Sequence, residues 1–158
     1  MNVTGTWKGE YAFEETESGA GKAVAGHVVT FTLKLKQGWL GSFSGTIQED
    51  PRAGFAEPGE VKGKVKGNLI VFEKFMPRLR LIHEHGMVKL EQWAERRKVV
   101  MDTDIPHPKV RHLGDMSPDG NSAEGTWLVE EYSLAVPGSF ERLVLPTLAG
   151  TWKMERSE

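Results

Sequence analysis

The chain has 158 residues, with 20 Lys plus Arg against 22 Asp plus Glu and a formal net charge of −2. That balance excludes a general attraction to nucleic acid or anionic membranes, and an apolar content of 39% excludes a disordered chain. Without cysteine there is no disulfide, thiolate metal site or thiol nucleophile, as expected in a reducing compartment. No apolar run approaches the roughly 20 residues of a membrane span. The start, Met1-Asn2-Val3-Thr4-Gly5, lacks the charge and apolar stretch of a signal peptide, so the glycosylation acceptor Asn2-Val3-Thr4 reads as idle. The expectation is one soluble, cytoplasmic domain over residues 1–158.

In chain order, Thr6 to Phe13 alternates, with Trp7, Gly9, Tyr11 and Phe13 on one face. Glu14 to Gly26 reads as a loop. His27 to Gln37 then places Val29, Phe31, Leu33 and Leu35 on one side and Thr30, Thr32, Lys34 and Lys36 on the other, the pattern of a half-buried antiparallel strand. Gly38 and Gly41 mark a tight connection around Trp39. Ser42 to Glu49 follows, with Phe43, Gly45 and Ile47 facing in, and Glu49 to Gly59 reads as a loop. Val61, Gly63, Val65 and Gly67 alternate with Lys62, Lys64 and Lys66, and Gly67-Asn68 predicts a hairpin into Leu69 to Met76. Beyond Pro77, the spacing of Leu90, Trp93, Ala94 and Arg97 predicts an amphipathic helix over Val88 to Lys98, within an insertion from Arg78 to Pro108. A hairpin of Lys109–Gly114 and Ser122–Tyr132 turns at Ser117-Pro118-Asp119-Gly120. Ala135 to Leu148 is ambiguous, and Gly150 to Arg156 is a terminal strand.

About eight short strands joined by hairpins, apolar on one face, must hide that face. A sandwich of two sheets would do so, but the hairpin-rich order favours an antiparallel up-and-down β-barrel, which also removes the edges. Glycines at inward positions (9, 45, 63, 67 and 125) suit a tightly curved sheet. The tripeptide Gly-Thr-Trp occurs at residues 5–7, 125–127 and 150–152 and reads as three structural strand entries. The expected core on the concave face is Trp7, Phe31, Leu33, Phe43, Ile47, Val65, Trp127 and Trp152.

Gly5-Thr6-Trp7 resembles the first-strand Gly-x-Trp of the calycins, the group of lipocalins, fatty-acid-binding proteins and avidins. Gly41-Ser42-Phe43-Ser44-Gly45-Thr46-Ile47 is similar to the glycine-bracketed strand of the avidin type. The resemblance implies the barrel fold, and it implies that Arg156 packs over Trp7 as a basic residue does in lipocalins. Lys8-Gly9-Glu10 does not match the polar set avidin offers its ligand, and the paired lid helices of the fatty-acid-binding barrel are missing. The insertion belongs to none of the three and is most similar to that of uncharacterised bacterial barrel proteins.

Inward polar residues mark candidate sites, because burying one unpaired costs about 1–3 kcal/mol. Alternation flags Tyr11, His112, Glu131 and Arg156, with Lys74 or Glu73 from the fifth strand according to register. The expected ligand-binding residues are Tyr11, Phe31, Lys74, His112 and Trp127, Lys74 and His112 fixing polar groups. His83-Glu84-His85 has metal-ligand spacing, with His112, Asp102 or His107 as a third ligand, but also reads as a polar stretch leaving the barrel; no metal or cofactor is expected. The lysine rows at 34, 36, 62, 64 and 66 read as a solvated face rather than a nucleic-acid surface. No partner nucleic acid or membrane is expected, and self-association stays open. The functional expectation is a barrel binding a small apolar or aromatic molecule. The alternatives are a cofactor-free isomerase, cyclase or hydrolase using His112, Tyr11 and a carboxylate, or a structural barrel without ligand.

Overall fold

Strict alternation leaves each strand one apolar face, and the chain hides all of them by closing the sheet into a ring. The computed structural model describes residues 1–77, 80–84, 87–90, 100–102, 107–135, 140 and 142–157. The first half runs β1 (Gly5–Phe13), α1 (Gly19–Val24), β2 (Val28–Gln37), a 3-10 turn (Trp39–Gly41), β3 (Ser42–Glu49), β4 (Gly59–Lys66) and β5 (Leu69–Phe75). The insertion contributes β6 (Arg80–Glu84), β7 (Met87–Leu90) and β8 (Val100–Asp102). The second half holds β9 (Val110–Met116), β10 (Ser122–Val129), β11 (Tyr132–Ala135), β12 (Arg142–Leu145) and β13 (Leu148–Ser157).

Strands β1, β2, β3, β4, β5, β9, β10 and β13 form a closed antiparallel barrel in which chain neighbours pair, and β1 pairs with β13 to seal it. This is the expected all-β, eight-stranded up-and-down barrel. Two small sheets, β7-β6-β8 and β11-β12, are not paired into that ring. All eight expected core residues are buried, and so are Val29 and Leu35 on β2.

The helix expected over Val88 to Lys98 is corrected where it can be seen. Val88, Lys89 and Leu90 belong to β7, held by pairing with His83, Ile82 and Leu81 of β6. A neighbouring strand overrides helix propensity there; Trp93 and the rest of the expected helix lie outside the described residues. The Glu14–Gly26 loop contains α1 instead, capped by the Ser18 hydroxyl, which accepts from the Gly21 N–H at 2.9 Å. Gly67 is not an inward glycine but a turn residue, with φ of 62° in the two-residue link between β4 and β5. Glu131 is exposed rather than inward, because β10 ends at Val129 and the alternation stops with it.

Register explains the repeated Gly-Thr-Trp. Across the antiparallel β10–β13 pair, Gly125 opposes Trp152 and Trp127 opposes Gly150. Gly150 gives the Trp127 ring the bare backbone of β13, while the Trp152 ring lies over Gly114 of β9, where a Cβ would come 2.6 Å from its Cζ2. A Cβ on Gly150 would lie 2.6 Å from Trp127 Nε1. The indole N–H groups of Trp7, Trp127 and Trp152 donate to the carbonyls of Val3, Ala12 and Thr126 at 2.9, 3.1 and 3.0 Å, so each buried ring keeps its polar atom satisfied. At one end Arg156 stands 4.5 Å from the Trp7 ring centroid and donates to the carbonyls of Asn2, Thr4 and Gly120, tying the first and last strands together. Among the described residues no helix is long and apolar enough to cross a membrane.

Gly150→Ala is expected to lower stability by about 1–3 kcal/mol, as overpacking does. Gly19→Ala, where nothing lies within 4 Å, should be neutral or gain up to ~1 kcal/mol. Urea unfolding of the two variants checks the contrast.

Candidate functional site

The end of the barrel away from Arg156 gathers the inward polar side chains. Tyr11 is brought there by β1, Lys74 by β5, His112 by β9 and Trp127 by β10. Each falls on the inward phase of a strand whose other inward residues are apolar. The β5–β9 register settles the fifth strand. Lys74 opposes Val110 and points in at 3% exposure, while Glu73 points out to Lys109, 2.9 Å away.

Lys74 is held by a residue that the alternation took as the end of the Ser42–Glu49 strand and the start of the next loop, without marking it as inward. Glu49, the last residue of β3, is 1% exposed and accepts from Lys74 Nζ at 2.5 Å. Its other oxygen accepts from the Tyr11 hydroxyl at 3.1 Å and the Phe55 N–H at 2.9 Å. Two more residues along the Phe43, Gly45, Ile47 rhythm lead to Glu49, so its signal was present in the alternation. Phe55, on the Asp50–Pro58 connection, has no periodicity to reveal it.

The electrostatics follow from that cluster. Burial pushes the Glu49 carboxyl up, but the Lys74 charge and hydrogen bond, the Phe55 N–H and the Tyr11 hydroxyl together hold it below its ordinary range. Burial, and then the Glu49 charge and hydrogen bond, raise the Tyr11 phenol well above its usual value. Lys74 and Glu49 therefore cancel, and Tyr11 stays neutral. Burial also drives His112 down to about 3, helped by the Lys74 charge, against hydrogen bonds to the Val110 and Phe72 backbone. The same cause takes His107 to about 4, with Lys74 adding to it while the Pro108 carbonyl and Glu49 oppose. Both imidazoles are uncharged at neutral pH.

Above the cluster lies a pocket lined by Tyr11, Phe13, Phe55, Trp127, Lys74 and His112 together with His107, Pro108, Leu145 and Pro146. The aromatic walls brace one another: Phe13 meets Trp127 edge-on at 5.0 Å and Tyr11 meets Trp127 at 5.8 Å. Lys74 Nζ is 4.5 Å from the Tyr11 ring centroid, and the His112 ring lies flat on Phe72 at 4.2 Å. Four of the five expected site residues share this pocket. Phe31 does not line it; its ring stacks behind Tyr11 at 6.3 Å. Arg156 is at the opposite closure and Glu131 is on the surface. The cavity itself measures about 40 Å³, against roughly 300–1,000 Å³ for ligand pockets that enclose a drug-sized molecule.

For a metal, no cluster of three His, Asp or Glu side chains occurs among the described residues. His83 and Glu84 lie on β6, whereas His107 and His112 belong to the barrel pocket, and His85 is outside the described residues. No protein-family model, curated protein or solved structure matches the chain.

Breaking the ion pair from one side should be costly. Lys74→Met alone is expected to destabilise by about 3–5 kcal/mol, because it leaves Glu49 buried and unpaired. Lys74→Met with Glu49→Leu should recover most of that loss in a double-mutant cycle. The histidines set a pH dependence. Each binds fewer protons folded than unfolded between its lowered value and the ordinary 6.5. Stability is therefore full above about pH 6.5 and falls as the pH drops toward 4. Glu49 adds a loss below the ordinary carboxylate range, as the pH falls through its lowered folded value. Urea midpoints at pH 7.5 and 5 check this, and His112→Phe should make the fall shallower by about one proton.

Proposed function

We propose that the chain is a calycin-like binding barrel, of lipocalin or avidin type, that holds one end of a small apolar or aromatic molecule in the pocket over Lys74. The observation that carries the reading is the buried Lys74–Glu49–Tyr11 cluster beneath an aromatic-walled opening. An apolar filler would stabilise a barrel end at least as well as a desolvated ion pair, so the pair has a use other than stability. The Arg156 contact on Trp7 supports the calycin affinity, and the cysteine-free composition fits a cytoplasmic setting. A cavity of about 40 Å³ admits a few atoms, so the bulk of a ligand rests outside it, against half-buried lining residues such as Phe55, His107 and Pro146.

The enzyme reading asks for a proton to move between partners. Tyr11 and Glu49 are within reach at 3.1 Å, but the phenol is pushed up and the carboxyl held down, which opposes transfer near neutral pH. The small cavity favours a second reading, a structural barrel with a filled interior. Native mass spectrometry of the purified protein separates the two. A co-purified organic adduct of at most a few hundred daltons, released on denaturation and absent from Lys74→Met, is the expected result. A bare chain mass, with no adduct after incubation with aromatic fragments, would leave the structural barrel.

A further inference from the structure

Among the described residues, Lys74 keeps donors in the pocket that no oxygen or nitrogen atom accepts. The Lys74 ammonium has three N–H donors, one of which goes to Glu49; among the described residues no oxygen or nitrogen acceptor takes the other two, and the Tyr11 and Phe55 ring centroids lie 4.5 and 5.9 Å from Nζ. At 3% exposure the side chain is nearly closed off from solvent, and it lines the cavity rather than the barrel wall alone. A ligand group that reaches the cavity thus meets a donor. The charge of that donor is already matched.

We propose that the pocket selects an uncharged ligand offering a carbonyl or ether oxygen to Lys74, in preference to a carboxylate of the same shape. The inference rests on the binding reading above and names its ligand class. Glu49 Oε1 lies 2.5 Å from Lys74 Nζ, so an oxygen accepting from the same nitrogen sits within about 5 Å of that carboxylate. At such a distance a second negative charge is repelled, while a neutral oxygen is not. Among the described residues no other cation lines the pocket: its two imidazoles are uncharged at neutral pH, and Arg156 closes the opposite end. A ligand with no acceptor fails for a different reason, since it would leave the buried donors unpaired. The small cavity fits this division: it takes a carbonyl and an adjoining carbon, while the aromatic and apolar groups around the mouth cover the rest.

The test uses three probes of one shape: 4-phenyl-2-butanone, 3-phenylpropanoate and butylbenzene, titrated against the whole protein at pH 7.5 and followed by tryptophan fluorescence and calorimetry. The ketone should bind at least tenfold more tightly than either analogue. Lys74→Met should erase its advantage over butylbenzene. Glu49→Gln leaves the ammonium without its counter-charge, and should bring 3-phenylpropanoate level with the ketone or above it. Equal or tighter carboxylate binding to the unaltered protein would overturn the ligand class while leaving the binding reading intact. Butylbenzene binding as tightly as the ketone would overturn the role of Lys74. Failure of all three probes to bind would count against the binding reading itself and this inference with it. The comparison on the unaltered protein decides even if a variant does not fold.

Discussion

A closed sheet has no edge, and that constraint governs everything inside this barrel. An inward side chain on an open sheet can swing around a margin to reach water. Here Glu49 is inward by phase on β3, and it must find its partners within the ring. It finds three donors from three different segments: Tyr11, Phe55 and Lys74. The cluster thus binds β1, β3, β5 and the β3–β4 connection into one unit at the pocket floor. The neutral imidazoles and the raised phenol derive from that burial, whereas the carboxyl is lowered against it by the three donors.

The two ends of the barrel solve closure differently. At the Trp7 end a cation stands outside an indole and bonds to the backbone carbonyls of Asn2, Thr4 and Gly120. At the other end the cover comes from connections, Phe55 on one side and His107–Pro108 on another, over side chains that carry polar atoms. Between them, Gly150 of β13 and Gly114 of β9 offer bare backbone to the rings of Trp127 and Trp152. A functional reading belongs to the end where polar groups and coverable space coincide.

Much of this was legible in the amino-acid order. Period-two alternation is a local property, and it identified the barrel strands, their inward faces and the concave core from Trp7 to Trp152. It also placed Tyr11, Lys74 or its neighbour, His112 and Trp127 inside. Glu49 was legible by the same rule as the end of the Ser42–Glu49 strand, and it went unmarked as an inward residue because it also opens the Glu49–Gly59 loop. The insertion was misread at Val88–Leu90 because helical spacing over a few residues competes with a strand partner that pattern alone does not display.

The sequence by itself determined which residues face inward, because the pleat of a strand repeats every two residues whatever lies opposite. Only the tertiary structure decided which inward residues meet. Register chose Lys74 over Glu73, closure brought Tyr11 of β1 to Glu49 of β3, and the path of a loop set the Phe55 N–H on the same carboxylate. Those contacts join residues 38, 25 and 6 positions apart. Their charges and hydrogen bonds depend on distance in space, a quantity that alternation along the chain does not contain.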